Sequence, residues 1–373
     1  MEFKMKRTEV VNVLRKVSTV KADTYQLSLS TNVEFEKGKY YCTVSACDGN
    51  AQATIAFLAQ IEKTMEEPVV VYVGAEFISI CFTMAEQNQD YVFCIEDALS
   101  ITCGEAHTSI PLKAEGKGLN PEKTEETVCV KMKSQLLKEA VLKGGYCVSK
   151  DDSRGLKNVF GFIMKLSDEK DLKLRCYTTD MYMSSACTVS VMETDKLKDA
   201  DISYGLACDR MLGLVGNLQE EETHIFLNKG QIIFRNGNDF YIFRAFEKNY
   251  PPTLESFFDK KEFACTLEVS VKELEMAIAL AALTSEERSP IILKNEENKL
   301  VVTDQLGNTS TSIDVAMEGT FDLIGCQAAF LKNVIGKIGS EKIYVGIDGS
   351  KAPMYLWNEN SAVAMVAPQT VNV

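Results

Sequence analysis

The feature that most limits what this chain can fold into is an internal repeat at about one third of its 373 residues. Each third opens with a segment of helical period and continues into a long run of β alternation. The first helix of each third is expected over Arg7–Val20, Ser134–Lys143 and Ser270–Leu283. Their apolar faces are Val10, Val11, Val13, Leu14 and Val17; then Leu136, Leu137, Ala140 and Val141; then Leu274, Ala277, Ile278 and Ala281. Spacings of three and four residues bring such side chains to one side of an α-helix. Ser134 and Ser270 are expected N-caps, and Lys143-Gly144-Gly145 is an expected stop.

A second helix is expected in each third, over Gly74–Glu86, Ala207–Leu218 and Ala328–Ile338. After each comes an alternating strand with a turn: Asp90–Ile95 with Glu96-Asp97, Thr223–Leu227 with Asn228-Lys-Gly230, and Glu341–Ile347 with Asp348-Gly-Ser350. Alternation closed by such a turn is a hairpin signal. Further strands precede the second helices, among them Tyr25–Ser30, Tyr40–Val44, Leu172–Tyr177, Ala186–Val191, Lys299–Thr303 and Thr309–Val315. The repeat is far longer than a solenoid unit. It reads as an α+β chain of three similar domains in tandem, over 1–118, 119–250 and 251–373. The breaks fall near Lys113–Pro121 and Asn249–Pro252, which are rich in Gly, Pro and polar residues.

Charge decides which partners suit such a chain. Forty Lys and Arg against 53 Asp and Glu give a net charge of -13, which argues against a simple basic nucleic-acid binder. Bulk charge does not say where the cations sit, however. Counted over 6–20, 74–86, 134–143, 207–218, 270–282 and 328–338, the expected helices hold ten basic and seven acidic residues, so they sum to +3 and leave -16 for the remainder. The apolar run Ala277–Leu283 is far short of the ~20 residues that span a bilayer. Lys4, Lys6, Arg7, Arg15 and Lys16 interrupt the apolar runs of Met1–Val20, which therefore lacks a signal-peptide layout. A cytoplasmic protein with no membrane partner is expected.

Twelve cysteines would suit a disulfide framework or zinc sites, but no Cys-x-x-Cys pair occurs and Cys42 and Cys47 are the two closest. A zinc site wants paired ligands two to four apart, usually with histidine, and the two isolated histidines, His107 and His224, cannot supply several such sites. Reduced core cysteines in a cytosolic protein are the expectation. No phosphate loop, dinucleotide fingerprint or Gly-x-Ser-x-Gly elbow is present. Asp151-Asp152 and Glu220-Glu-Glu222 sit among turn residues and read as solvated loop charges. No catalytic residue, metal or cofactor is assigned, and a binding or scaffolding role is expected.

Several phrases then occur in a telling order. They are Tyr72-Val-Gly-Ala-Glu-Phe-Ile-Ser-Ile-Cys81, Asn158-Val-Phe-Gly161, Thr178-Thr-Asp180, Phe246-Glu-Lys-Asn-Tyr-Pro251, Lys351-Ala-Pro353 and Met365-Val-Ala-Pro368. Their order and spacing over the whole chain resemble the bacterial beta sliding clamp family, the processivity subunit of DNA polymerase III. Where that family usually has Gly-His-Arg-Leu after Thr-Asp, this chain has Met181-Tyr182-Met183-Ser184, and its tail is Ala367-Pro368-Gln-Thr-Val-Asn-Val373.

The resemblance implies a non-catalytic ring: a head-to-tail homodimer of six domains, helices lining a hole around duplex DNA and sheets outside. Sequence-independent DNA contact would fall to Lys6, Arg7, Arg15, Lys16, Lys21, Lys138, Lys143, Lys150, Arg154, Arg210, Lys332 and Lys337. Short peptides of the replicative polymerase, clamp loader and repair factors would dock against Val159, Thr179, Tyr182, Met183, Pro251, Met365, Val366, Ala367 and Pro368. Leu283 would lie at the dimer interface. Two alternatives stand beside this. One is a divergent or mobile-element clamp with its own partners, which the altered Met181–Met183 stretch and tail motivate. The other is a metal-dependent hydrolase on a repeated scaffold.

Overall fold

The computed structural model describes residues 1–119, 127–151, 155–166, 171–194, 202–228, 230–246, 254–285, 289–359 and 362–371. All six expected helices form: α1 Arg7–Val17, α2 Glu76–Met84, α3 Ser134–Gly144, α4 Cys208–Asn217, α6 Val271–Thr284 and α7 Ala328–Ile338. A short helix α5, Leu254–Phe257, was not expected. Helix α1 stops three residues early because its last turn tightens: the N–H groups of Thr19 and Val20 donate to the carbonyls of Lys16 and Val17. Ser270 caps α6 as expected, accepting the N–H of Glu273. Ser134 is buried and uses its hydroxyl across strands, meeting Thr223 Oγ1 at 2.8 Å and accepting from Asn236 Nδ2 at 3.1 Å.

The chain divides into two compact units. The first comprises Met1–Gln135, Val191–Lys198 and Arg210–Phe246. It holds a 14-stranded antiparallel sheet, part of which closes on itself because Lys39–Cys47 pairs with both Thr24–Leu29 and Ala51–Gln60. The seam between first-third and middle-third strands is a continuous ladder, from Ala51↔Phe243 to Thr54↔Phe240. Helix α1 packs Val10, Val13, Leu14 and Val17 onto this sheet's core of Phe3, Ile55, Phe57 and Phe93. The rings of Phe3 and Phe93 stack 4.8 Å apart. The strand Ala106–Lys113 pairs with Tyr72 and Val73 only through Lys113 and Leu112, so on that side its stretch 106–110 has no ladder partner among the described residues.

The second unit comprises Leu136–Ser190, Asp199–Asp209 and Glu247–Val373. Its nine-stranded sheet joins middle-third and last-third strands through Met183–Ser190 and Ala362–Val366, paired from Met183↔Val366 to Cys187↔Ala362. A separate four-stranded sheet runs Ser310–Asp314, Lys299–Asp304, Ile291–Glu296, Leu323–Cys326, which leaves Ser310–Asp314 at an edge. Helices α6 and α7 pack together over a core that includes Ile278, Val334, Leu293, Val302 and Val345. On another patch α5 and Phe258 cover Ile163, Tyr177 and Met365.

All twelve cysteines are free, and all but Cys94 and Cys129 are buried. Burial pushes the Cys147, Cys187, Cys208 and Cys326 thiols up to about 12. They behave as core hydrophobes, as the sequence led one to expect. Among the described residues no helix is long and apolar enough to cross a membrane.

Candidate functional site

The most structured surface feature is built on the turn that joins strand Leu172–Thr179 to strand Met183–Ser190. Asp180 Oδ1 accepts the N–H groups of Tyr182 at 2.9 Å and Met183 at 2.6 Å. Thr179 Oγ1 accepts the Met181 N–H at 3.0 Å and donates to the Met183 carbonyl at 2.9 Å. These bonds hold Met181 at φ +75°, a left-handed conformation that disfavours a side chain with a Cβ. The turn thereby thrusts Tyr182 outward. The residue is 53% exposed, and its ring stacks on Phe330 of α7 with centroids 5.8 Å apart.

Beside this ring lies a groove of about 530 Å³. Tyr146, Val148, Leu156 and Met183 give it an apolar floor, and Asn333 Nδ2 reaches Met183 Sδ at 3.7 Å. Ser149, Lys150, Asp151, Asp180, Tyr182 and Asn333 supply the polar rim. Burial pushes the Tyr146 phenol well above its ordinary range, so its hydroxyl stays neutral.

Of the expected partner-pocket residues, Tyr182 and Met183 line this groove. Met365 and Val366 do not. They are neighbours on one strand and point to opposite faces, Met365 into the cluster under α5 and Val366 into the core under α6 and α7. Val159 and Thr179 are buried in the sheet. Ala367 reaches the site through its backbone, its N–H donating to the Tyr182 carbonyl at 2.8 Å. Pro368 lines a different hollow, beside Asp322 and Lys351. Pro251 lies outside the described residues. Tyr146, Leu156, Asp180, Phe330 and Asn333 were missed. The spacing of Phe330 and Asn333 on one side of α7 was the available signal.

The expected DNA-facing cations separate into groups. Lys6, Arg15, Lys21, Lys150, Lys332 and Lys337 are exposed. Arg7 is half-buried and its Nε donates to the Ala85 carbonyl at 2.6 Å. Lys138 and Lys143 are half-buried, and Lys143 pairs with Glu139 on its own helix at 2.6 Å. Lys16 and Arg210 depart from the expectation. Lys16 is 8% exposed and its ammonium meets the carboxylate of Asp239 at 2.6 Å. Arg210 binds the Asp48 carboxylate and the Thr19 carbonyl. Both cations are committed inside the first unit, because folding brings a distant acid onto each. Arg154 lies outside the described residues.

Leu283 projects from α6 and is 82% exposed. Met276 and Leu280 are exposed on the same helix at spacings of four and three residues, and Leu306 is exposed as well. His107 contacts the Thr102 hydroxyl at 2.9 Å, and His224 sits mid-strand opposite Arg235. Among the described residues no group of three or more His, Cys, Asp or Glu could hold a metal ion.

No family model matches the chain. A beta sliding clamp from Staphylococcus epidermidis is 20% identical to it over 385 residues, which covers 99% of both chains. Solved structures agree in three dimensions. The DNA polymerase III subunit beta of Pseudomonas aeruginosa aligns with a TM-score of 0.81 at 16% identity, over 99% of this chain and 100% of that one. The DNA polymerase sliding clamp of Bacillus subtilis aligns with a TM-score of 0.80 at 16% identity, over 100% of both.

This is the bacterial beta sliding clamp fold. The recurrence of two helices and a set of strands in every third is the repeat of that fold. Within it, the Asp180–Met183 turn, the groove and α7 form one side-chain constellation, all in the second unit.

Proposed function

We propose that the chain is a DNA sliding clamp: a non-catalytic, ring-shaped homodimer that encircles duplex DNA in the cytoplasm and tethers the replicative polymerase and other factors. The likeness to clamps from end to end of both chains carries this reading. Three clamp domains, 1–118, 119–250 and 251–373, make up each half of the ring. Topology does the work. A closed ring cannot leave a duplex sideways, so it needs no base contacts, and weak phosphate contacts let it slide.

Head-to-tail closure needs a first-third surface against a last-third surface. The side of the stretch 106–110 that has no ladder partner among the described residues and the edge strand Ser310–Asp314 are open ladders of that kind. The exposed Met276, Leu280, Leu283 and Leu306 would be covered at the same seam. Exposed Lys6, Arg15, Lys21, Lys332 and Lys337 would face the duplex. The groove beside Tyr182 would take short peptides of the polymerase, the clamp loader and repair factors.

The test is retention on DNA after loading onto a nicked circle. The protein should stay on the circle through gel filtration and leave within minutes once the circle is linearised. Equal retention on both forms would mean grip rather than encirclement, and would sink the proposal.

A further inference from the structure

We propose, on the reading that two copies close head to tail into a ring, that His107 makes this closure pH-sensitive. Its protonated imidazole meets the Asp314 carboxylate of a second copy of this chain, so the ring tightens as pH falls. Three observations converge on this.

The first is the parity of the two open edges. Along Ala106–Lys113, Ile110 is buried and Thr108 half-buried, while His107, Ser109 and Pro111 are exposed. Along Ser310–Asp314, Ile313 is buried and Thr311 half-buried, while Ser310, Ser312 and Asp314 are exposed. Both strands pair antiparallel with their neighbours. In an antiparallel ladder between copies, inward residues must meet inward ones, because a one-residue slip turns every side chain over. The centred register, Thr108 opposite Ser312, fails, since it sets Ile110 against Ser310. The registers on either side of it succeed. One sets His107 opposite Asp314. The other sets it opposite Ser312, with Asp314 on the diagonal and within reach of an aromatic ring.

The second is the orientation of the ring. His107 Nδ1 lies 2.9 Å from the Thr102 hydroxyl, directly across the ladder on the paired strand Ala98–Cys103. The other nitrogen sits on the far side of an imidazole. Holding Nδ1 toward Thr102 therefore turns Nε2 toward the open edge.

The third is the charge that waits there. Asp314 pairs with Lys299 through Oδ1 at 2.8 Å, and its side chain is 87% exposed. Its Oδ2 has no partner among the described residues. A protonated imidazole can take that oxygen without displacing Lys299. On its own chain, the charged groups of the elements that adjoin His107 are Glu105 in the preceding turn and Glu76 at the start of α2. They accompany the ring in the free chain and in the dimer alike, so they do not couple its proton to closure. Asp314 is gained only on closure. A proton held more tightly by the dimer favours the dimer at low pH and has no effect at high pH.

The experiment measures the dimer dissociation constant of the full-length protein by sedimentation between about pH 5.5 and pH 8, the range in which histidine changes charge. One exposed ion pair is worth up to about fivefold. A head-to-tail dimer closes through two such seams, so the constant should fall by up to about 25-fold from the high to the low end. His107→Gln keeps a polar group facing Thr102 and cannot take up the proton. Asp314→Asn keeps the shape and removes the charge. In each variant the dimer should form with a constant that changes by less than about twofold across the range.

A dimer of the unaltered protein with a flat pH response would overturn the contact and leave the ring standing. A response that survives His107→Gln would overturn the role of His107. One lost in His107→Gln but kept in Asp314→Asn would overturn Asp314 as its partner. A monomer at every pH would remove the ring reading, and this inference with it.

Discussion

The pair Lys16–Asp239 is the most consequential polar contact in the first unit, and removing one side of it tests how that unit is held. Both residues are almost inaccessible, Lys16 at 8% and Asp239 at 6% exposure. Asp239 also accepts the Ala56 N–H at 3.0 Å through its other oxygen. One carboxylate therefore links α1 and the strand Ala51–Gln60 to the middle-third strand Asp239–Arg244. In Asp239→Ala the ammonium of Lys16 stays buried without a counter-charge, which costs about 3–5 kcal/mol. The Ala56 N–H loses its acceptor as well, a deficit of about 1–3 kcal/mol if water does not reach it. The two losses share one site and do not add in full. A loss of about 4 kcal/mol is a large share of a typical domain's ~5–15 kcal/mol.

Urea unfolding should show an early transition moved to markedly lower denaturant. Amide exchange at Ala56 should accelerate with it. Asp239→Asn should fall between, since an amide oxygen still accepts the Ala56 N–H. Lys16→Met with Asp239→Asn should cost less than the sum of its parts, because no charge is then stranded. An Asp239→Ala protein within about 0.5 kcal/mol of the original, with Ala56 exchange unchanged, would refute the argument, since surface substitutions have effects of that size.

Other outcomes follow from the same geometry. Met181→Gly should raise stability by about 0.5–1 kcal/mol in thermal melts, because φ +75° carries a penalty for Met that Gly escapes. Leu283→Glu should leave the far-UV circular dichroism of the chain unchanged and shift sedimentation toward monomer, since this side chain is 82% exposed in the single chain. Stability should fall as pH rises above about 9. The thiols of Cys147, Cys187, Cys208 and Cys326 are pushed from 9.0 to about 12 by burial. Their contribution is therefore complete below pH 9 and is lost toward pH 12, as the unfolded chain releases protons that the folded chain keeps. Flat denaturation midpoints from pH 8 to pH 11 would contradict those burials.

Helix positions and the repeat were legible because they rest on local periodicity, which Leu274, Ala277, Ile278 and Ala281 display without tertiary help. The fate of individual cations was not. Lys16 and Asp239 are 223 residues apart in sequence, and Arg210 and Asp48 are 162 apart. Nothing near Lys16 marks it for burial, since α1 also carries Arg15, which is exposed one position earlier. The groove was half legible. The phrase Met181-Tyr182-Met183 was found, but the strand Ala362–Val366 is covered on both faces, so Met365 and Val366 are taken up by cores that sequence alternation cannot assign. Asn333 lines the groove from α7 and Phe330 backs Tyr182 from the same helix, whose pattern announces only its apolar side.

Placing Lys16 and Arg210 inside the first unit changes how the charge of the helices should be tested. Combined reversal of Arg15, Lys16 and Arg154 would confound two effects, because reversing Lys16 sets an acid against buried Asp239. The exposed residues separate them. Arg15→Gln with Lys21→Gln removes two exposed charges and leaves the buried pair intact. If these cations meet phosphate, the slope of log affinity for linear duplex against log salt should become shallower by about 0.9 for each phosphate no longer neutralised, with urea stability unchanged. Lys16→Met should do the reverse, lowering stability and leaving the slope as it was. A slope that responds to Lys16→Met and not to the Arg15 and Lys21 pair would mean that the first unit presents a different face to DNA. The exposure of α1 would then have to be explained by another partner.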